Sequence, residues 1–305
     1  MKSYTSVFFS VLFIVFFSCG ENTNTGSSSS VKNTGIWETR GILYCYSDSN
    51  ISMAVDPSRG ARITSFKIEG TEQLHTSGDM SGSTFWPAPQ SMWDWPPPEE
   101  IDSRQYQLVS NEGSTLILES SRDSRTGFQV RKEFTGTGED IITVTYIIIN
   151  RDSRQKNVAP WEITRVPPHG LSFFPKGEAY TGSSTLTPTR EDQIVWFRHN
   201  GEHDQKLFRD GSQRWIAHLN GSFVLIKEYQ TDIPVSSFAP EESEIEIYSA
   251  AGYVEIEQQG AYEPLRPGES LSWSVEWSGI RLPWDVSGEA GSTTLVEHVR
   301  DLLEM

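Results

Sequence analysis

Glu255 and Glu257 stand two residues apart in "YVEIEQQGAYEPLRPGES", with Gln259 two further on. On a strand, alternate side chains share a face, so Tyr253, Glu255, Glu257 and Gln259 point one way, Val254 and Ile256 the other. The apolar pair feeds a core, and the opposite face offers two carboxylates for acid–base work. The same pattern also suits the solvated face of an acidic protein. A second group lies in "PWEITRVPPHG", which holds Trp161, Glu162, Arg165 and His169. Glu162 could act as an acid or form a local ion pair with Arg165. His169 follows two prolines and therefore belongs to a constrained loop, where its imidazole can donate a proton near neutral pH.

The third group is "STFWPAPQSMWDWPPPEE", Ser83 to Glu100, which gathers Trp86, Trp93 and Trp95 among prolines. Proline lacks an N–H and fixes φ, so the stretch reads as a rigid loop rather than a helix or central strand. Its tryptophans either plug one end of the core or form a wall for a ligand. "FRHNGEHDQ" puts His199 and His203 four apart, but Asn200-Gly201 breaks a helix there. Neither a metal nor another cofactor is expected.

These residues are carried by strands. "ARITSFKIEG", "FQVRKEFTG", "DIITVTYIIIN", "SFVLIKEYQ", "SEIEIYSA" and "SLSWSVEWSG" alternate with period two between Gly, Pro, Asn, Asp or Ser. "GTGED" is a hairpin turn signal. One helix is expected, near the end, with Thr294 and Glu297 as a capping box and Leu295, Val299, Leu302 and Leu303 on one face. No fixed-period repeat interrupts this pattern. The fold class is all-β, a single sandwich domain over residues 36–305 with a short C-terminal helix.

The first residues read as a targeting segment. Lys2 precedes the apolar run Val7 to Phe17, which is too short to span a bilayer and ends at Ser18-Cys19. "FFSCG" is similar to a bacterial lipobox. Residues 1–18 are then a lipoprotein signal peptide, Cys19 the lipid-bearing residue, and 19–35 a polar tether. The expected location is the cell envelope, lipid-anchored to a membrane. A net charge of −16 excludes partners that need a positive field, nucleic acid first among them.

The order of "RGARITSFKIEG", "FWPAPQ", a long strand ending at Asn150, "PWEITRVPPHG" and "VEIEQQGAYEPLRPGES" resembles the galactose mutarotase-like superfamily, which includes the aldose 1-epimerases. The resemblance covers roughly Asn50 to Pro283. It implies a β-supersandwich whose concave face binds a monosaccharide or the end of a glycan. It also implies Glu257, with Gln259 after it, as general base. The acid would come from the mid-chain region, where His169 and Glu162 stand. Gln90 occupies the place of the family's substrate arginine. Trp86, Trp93, Trp95, Trp161, Arg62, Arg165 and Glu255 complete the expected substrate contacts. The function so implied is carbohydrate binding with aldose 1-epimerase-like activity. Alternatives are a non-catalytic protein-interaction module of an envelope complex, or an accessory domain for polysaccharide processing.

Lipidation has a direct test. Cys19→Ala is expected to move the protein from the membrane to the soluble fraction, and mapping the mature N-terminus checks the cleavage site.

Overall fold

The computed structural model describes residues 35–178, 183–201, 203–229 and 233–305. The expected signal peptide, Cys19 and all but the last residue of the expected tether lie outside the described residues. Alternation is plainest in Phe128–Gly136 and Ile142–Asn150, where every second residue is buried. These two strands pair antiparallel from Gly136 opposite Ile142 to Phe128 opposite Asn150, so "GTGED" is the hairpin turn it was read to be.

Two sheets result. The first runs Trp37–Arg40, Leu43–Ser47, Ile51–Asp56, Arg62–Ile68, Ser83–Ala88, Lys156–Val166, Val254–Gln259, Ile245–Ser249 and Gln205–Arg209. The second runs Arg190–Glu191, Ile194–Arg198, Leu171–Pro175, Trp215–Asn220, Phe223–Tyr229, Ser270–Arg281, Ile142–Asn150, Phe128–Gly136, Thr115–Glu119 and Gln107–Glu112. Between them lies one apolar core, in which Phe85 stacks on Tyr146 at 4.3 Å and Phe66 meets Trp277 edge-on at 5.3 Å.

Three expectations are revised. Ser83–Ala88, read as loop, is a buried strand inside the first sheet. Pro87 stands opposite Pro160, and two residues without an N–H can face each other as a non-hydrogen-bonded pair. On its other side the strand is paired to Arg62–Ile68 only at Ser83, so Pro87 removes no ladder bond there. The C-terminal helix spans Thr293–Leu302 and is capped by Ser292, whose hydroxyl accepts from the Leu295 N–H. Ser292 caps as well as Thr294 would, which starts the helix earlier. It buries Leu295, Val296 and Val299 while Leu302 is exposed.

The third revision concerns Glu162. Its strand neighbour Phe85 faces the core, and so does Glu162, between the sheets. Its carboxylate accepts from the Tyr146 hydroxyl at 2.6 Å and Trp277 Nε1 at 3.2 Å. Lys227, from the second sheet, lies 2.6 Å from its other oxygen. The same ammonium donates to Thr164 Oγ1 at 2.6 Å and Gln258 Oε1 at 2.8 Å. Burial pushes Lys227 below its usual range, with Glu162 opposing the shift. Glu162 is thus a bridge between the sheets rather than an acid beside Glu257.

Removing one partner leaves a buried charge unpaired, so Glu162→Ala is expected to cost about 3–5 kcal/mol in denaturant unfolding. Glu162→Gln, which keeps hydrogen-bonding capacity, should cost less.

Candidate ligand site on the outer face of the first sheet

Because Glu162 and Gln258 point inward, their strand neighbours point outward. In register, Trp161 stands opposite Gln259, Ile163 opposite Glu257 and Arg165 opposite Glu255. On the next strand Glu246 stands opposite Glu257. The expected face therefore forms, with both carboxylates, Trp161 and Arg165 on it. It is not a solvated face. Glu257 is buried, and its Oε2 accepts from Trp161 Nε1 at 2.8 Å and from Lys206 Nζ at 3.2 Å. Lys206 also pairs with Glu246 and lies over the Trp161 ring at 4.8 Å. Arg165 pairs with Glu255 at 2.8 Å, not with Glu162, because an offset of three residues puts those two on opposite faces.

The electrostatics follow from burial. Loss of water pushes Glu257 up, Lys206 opposes the shift, and Glu255 adds to it, leaving the carboxyl at about 7. Glu246 is likewise held well above the usual carboxylate range, for the same leading reason. Burial works against the charge on Lys206, but Glu246, Glu257 and Glu242 outweigh it and hold the amine above its usual range. This is the setting in which a carboxylate can act as a base near neutral pH.

The tryptophans divide. Trp86 and Trp93 are each 5% exposed and pack with Ala88, Ala159, Trp161, Ile163 and Ala239 in a separate apolar cluster. Trp93 Nε1 donates to the Pro87 carbonyl at 2.7 Å, which ties the proline-rich turn to the sheet. Trp95 is 58% exposed and meets Trp86 edge-on at 6.1 Å. The wall reading therefore falls to Trp95, while the other two rings close the face. Gln90 stays half-buried at the start of that turn, and its backbone N–H donates to Glu242 at 3.0 Å.

Arg62 is buried beside Trp86. Its guanidinium donates to the Ser81 carbonyl at 3.0 Å and reaches Asp102 at 3.1 Å. Burial pushes it down to about 10 against the pull of Asp102. Asp102 also accepts from Thr84 and from Trp86 Nε1, both at 2.8 Å, so it fixes this end of the face. His169 is exposed on the loop after Val166, beyond the end of the strand pair that carries Glu257. His75 lies on this side, its ring 5.3 Å from Tyr253, while Tyr253 lies under the Arg165 guanidinium at 5.9 Å; His203 also reaches this side through Asp204, which accepts from Tyr248.

Sequence reasoning did not find Lys206, Glu246, Asp102 or His75. Glu246 had a signal: "SEIEIYSA" repeats the spacing of Glu255 and Glu257. The other three come from segments that only folding brings near. His199 Nε2 bonds the Ala250 carbonyl at 3.0 Å, and His203 pairs with Asp204 at 2.8 Å.

The two-sheet sandwich with its short C-terminal helix has the fold of galactose mutarotase-like proteins. A galactose mutarotase-like protein from Lactobacillus casei superposes with TM-score 0.59 at 11% identity, over 78% of this chain and 100% of that one. A putative aldose 1-epimerase from Escherichia coli K12 gives 0.55 at 14%, over 79% and 99%. A TPR-domain containing protein from Parabacteroides distasonis gives 0.58 at 15%, over 81% of this chain and 49% of that longer one. No curated protein matches the sequence. The chain belongs to the family described as domain of unknown function DUF4380, whose pattern matches residues 87–280.

The division of the tryptophans gives a stability contrast. Trp86→Ala is expected to cost about 3–5 kcal/mol, as for a large buried ring, and Trp95→Ala to stay within about 0.5 kcal/mol. Thermal or urea unfolding checks both.

Proposed function

We propose that the protein binds carbohydrate on the outer face of the first sheet, in the cell envelope, held to a membrane by lipid on Cys19. A monosaccharide or glycan end would stack on Trp95 and offer its hydroxyls to Arg165, Glu255 and Glu257. The observation that carries the reading is Glu257, a buried carboxyl raised toward neutrality on the face of this fold that holds the aromatic rings. The fold likeness to proteins titled aldose 1-epimerase and galactose mutarotase-like supports it.

Aldose 1-epimerase-like turnover is the activity to look for. It needs a base to take the anomeric hydroxyl proton and an acid to protonate the ring oxygen, so that the ring opens and closes on either face. Glu257 is the base in this reading. His169 and Glu162 stand elsewhere, and His75, beside Tyr253, is an imidazole on the same side of the sheet. Binding alone requires neither proton transfer.

Titration calorimetry with a hexose panel tests binding. Trp95→Ala should weaken it by about 1–3 kcal/mol with the fold intact, the scale of one aromatic contact. Exchange of sugar anomers followed by NMR tests turnover. Because Glu257 must be ionised to accept a proton, exchange should rise as pH increases through about 7 and fall away below it. Glu257→Gln should abolish that dependence. A protein that binds no sugar at any pH overturns the reading.

A further inference from the structure

Two carboxylates and one ammonium meet on the outer face. Glu246 and Glu257 are register partners on adjacent strands, and like charges placed so repel. Lys206 comes from the next strand, where it stands opposite Tyr248, and reaches diagonally to both carboxylates. Of the three, Lys206 alone has exposed surface, with 23% of its side chain open against 0% and 1% for the glutamates. The rings of Trp161 and Phe208 lie beneath its ammonium at 4.8 and 5.4 Å and limit where it can go.

The hydrogen bonds separate the two glutamates. Glu246 Oε1 accepts from the Ser243 N–H at 2.8 Å and Gln259 Nε2 at 3.1 Å, and its Oε2 takes the ammonium. Glu257 Oε2 accepts from Trp161 and Lys206, while Glu257 Oε1 is buried with no hydrogen-bond partner among the described residues. Buried polar atoms seldom stay so unless something else fills the place. That oxygen is where a proton sits when the carboxyl is neutral, and where a ligand hydroxyl can donate when it is not.

We infer that Lys206 is the positioning residue of this site: its ammonium, reaching Glu246 and Glu257 at once, holds Glu257 as a carboxylate whose unpartnered Oε1 is left to accept from a ligand hydroxyl. The inference rests on the reading of Glu257 as the group that meets the sugar. Other charges around Glu257 do not replace Lys206. Glu255 on its own strand pairs with Arg165 from the neighbouring strand and still raises Glu257 rather than lowering it. Glu242, on the segment before Ile245–Ser249, adds to the repulsion. Without Lys206, two buried carboxylates would face each other, and the pair would retain protons to higher pH.

Carboxyl 13C NMR of glutamate-labelled protein, with Glu257 assigned through Glu257→Gln, reads its ionisation without any ligand. In Lys206→Met the Glu257 midpoint should rise by about one to three pH units. Lys206→Arg should restore it. An unmoved midpoint in folded Lys206→Met, or no recovery in folded Lys206→Arg, overturns the inference. Should Lys206→Met not fold, Glu246→Gln decides. With one carboxylate removed, Lys206 serves Glu257 alone and the midpoint should fall, whereas an unchanged or higher midpoint overturns the inference. The titration also separates two failures. If wild type binds no sugar but the midpoint follows Lys206, the ligand assignment is wrong and the role of Lys206 stands. If sugar binds and the midpoint ignores Lys206, the reverse holds.

Discussion

The Lys227–Glu162 ion pair is the interaction on which the arrangement of the molecule turns. Taking an ammonium and a carboxylate out of water costs several kcal/mol each, and good geometry with further hydrogen bonds must offset it. Here Tyr146, Trp277, Thr164 and Gln258 supply those bonds, and they come from both sheets. The network therefore has one satisfying register. A slip of one residue in Lys156–Val166 would turn Glu162 outward, bring Trp161 inward and strand Lys227. Specifying the inner face in this way specifies the outer one as well.

The outer face is consequently an ordered surface before any ligand arrives. Asp102 gathers Arg62, Thr84 and Trp86 at one end. Glu242 holds the Gln90 turn from the far side, and Arg125 accepts no slack in that turn, since it donates to the carbonyls of Trp93 at 3.3 Å and Pro96 at 3.0 Å. Groups tied at several points lose little further freedom on binding. Glu257 is buried within this face, and that burial is the leading cause of its perturbed ionisation.

Much of this was legible in the sequence where periodicity was the cause. Alternation in "DIITVTYIIIN" and "VEIEQQ" announced the strands, and the two-residue spacing of Glu255 and Glu257 announced a shared face. What failed did so for physical reasons. Counting prolines demoted Ser83–Ala88, because a list of residues does not show that Pro87 and Pro160 oppose each other. Reading "WEIT" gave Glu162 a functional place, although the alternation that turns Trp161 outward must turn Glu162 inward. Lys206 and His75 were out of reach, since each owes its surroundings to a partner strand distant in the chain.

The burial of the aromatic residues has an optical consequence. Of the ten tryptophans, eight are at most 5% exposed, and only Trp95 and Trp284 stand open, at 58% and 97%. Emission at the red edge of the spectrum, and quenching by a small water-borne collider, should therefore arise from those two indoles alone. Replacing Trp284 with phenylalanine would leave a single solvated fluorophore, at the rim of the face that carries Glu257. The chain has, in effect, built its own reporter: whatever comes to rest beside Trp95 must change the colour and accessibility of the light it emits.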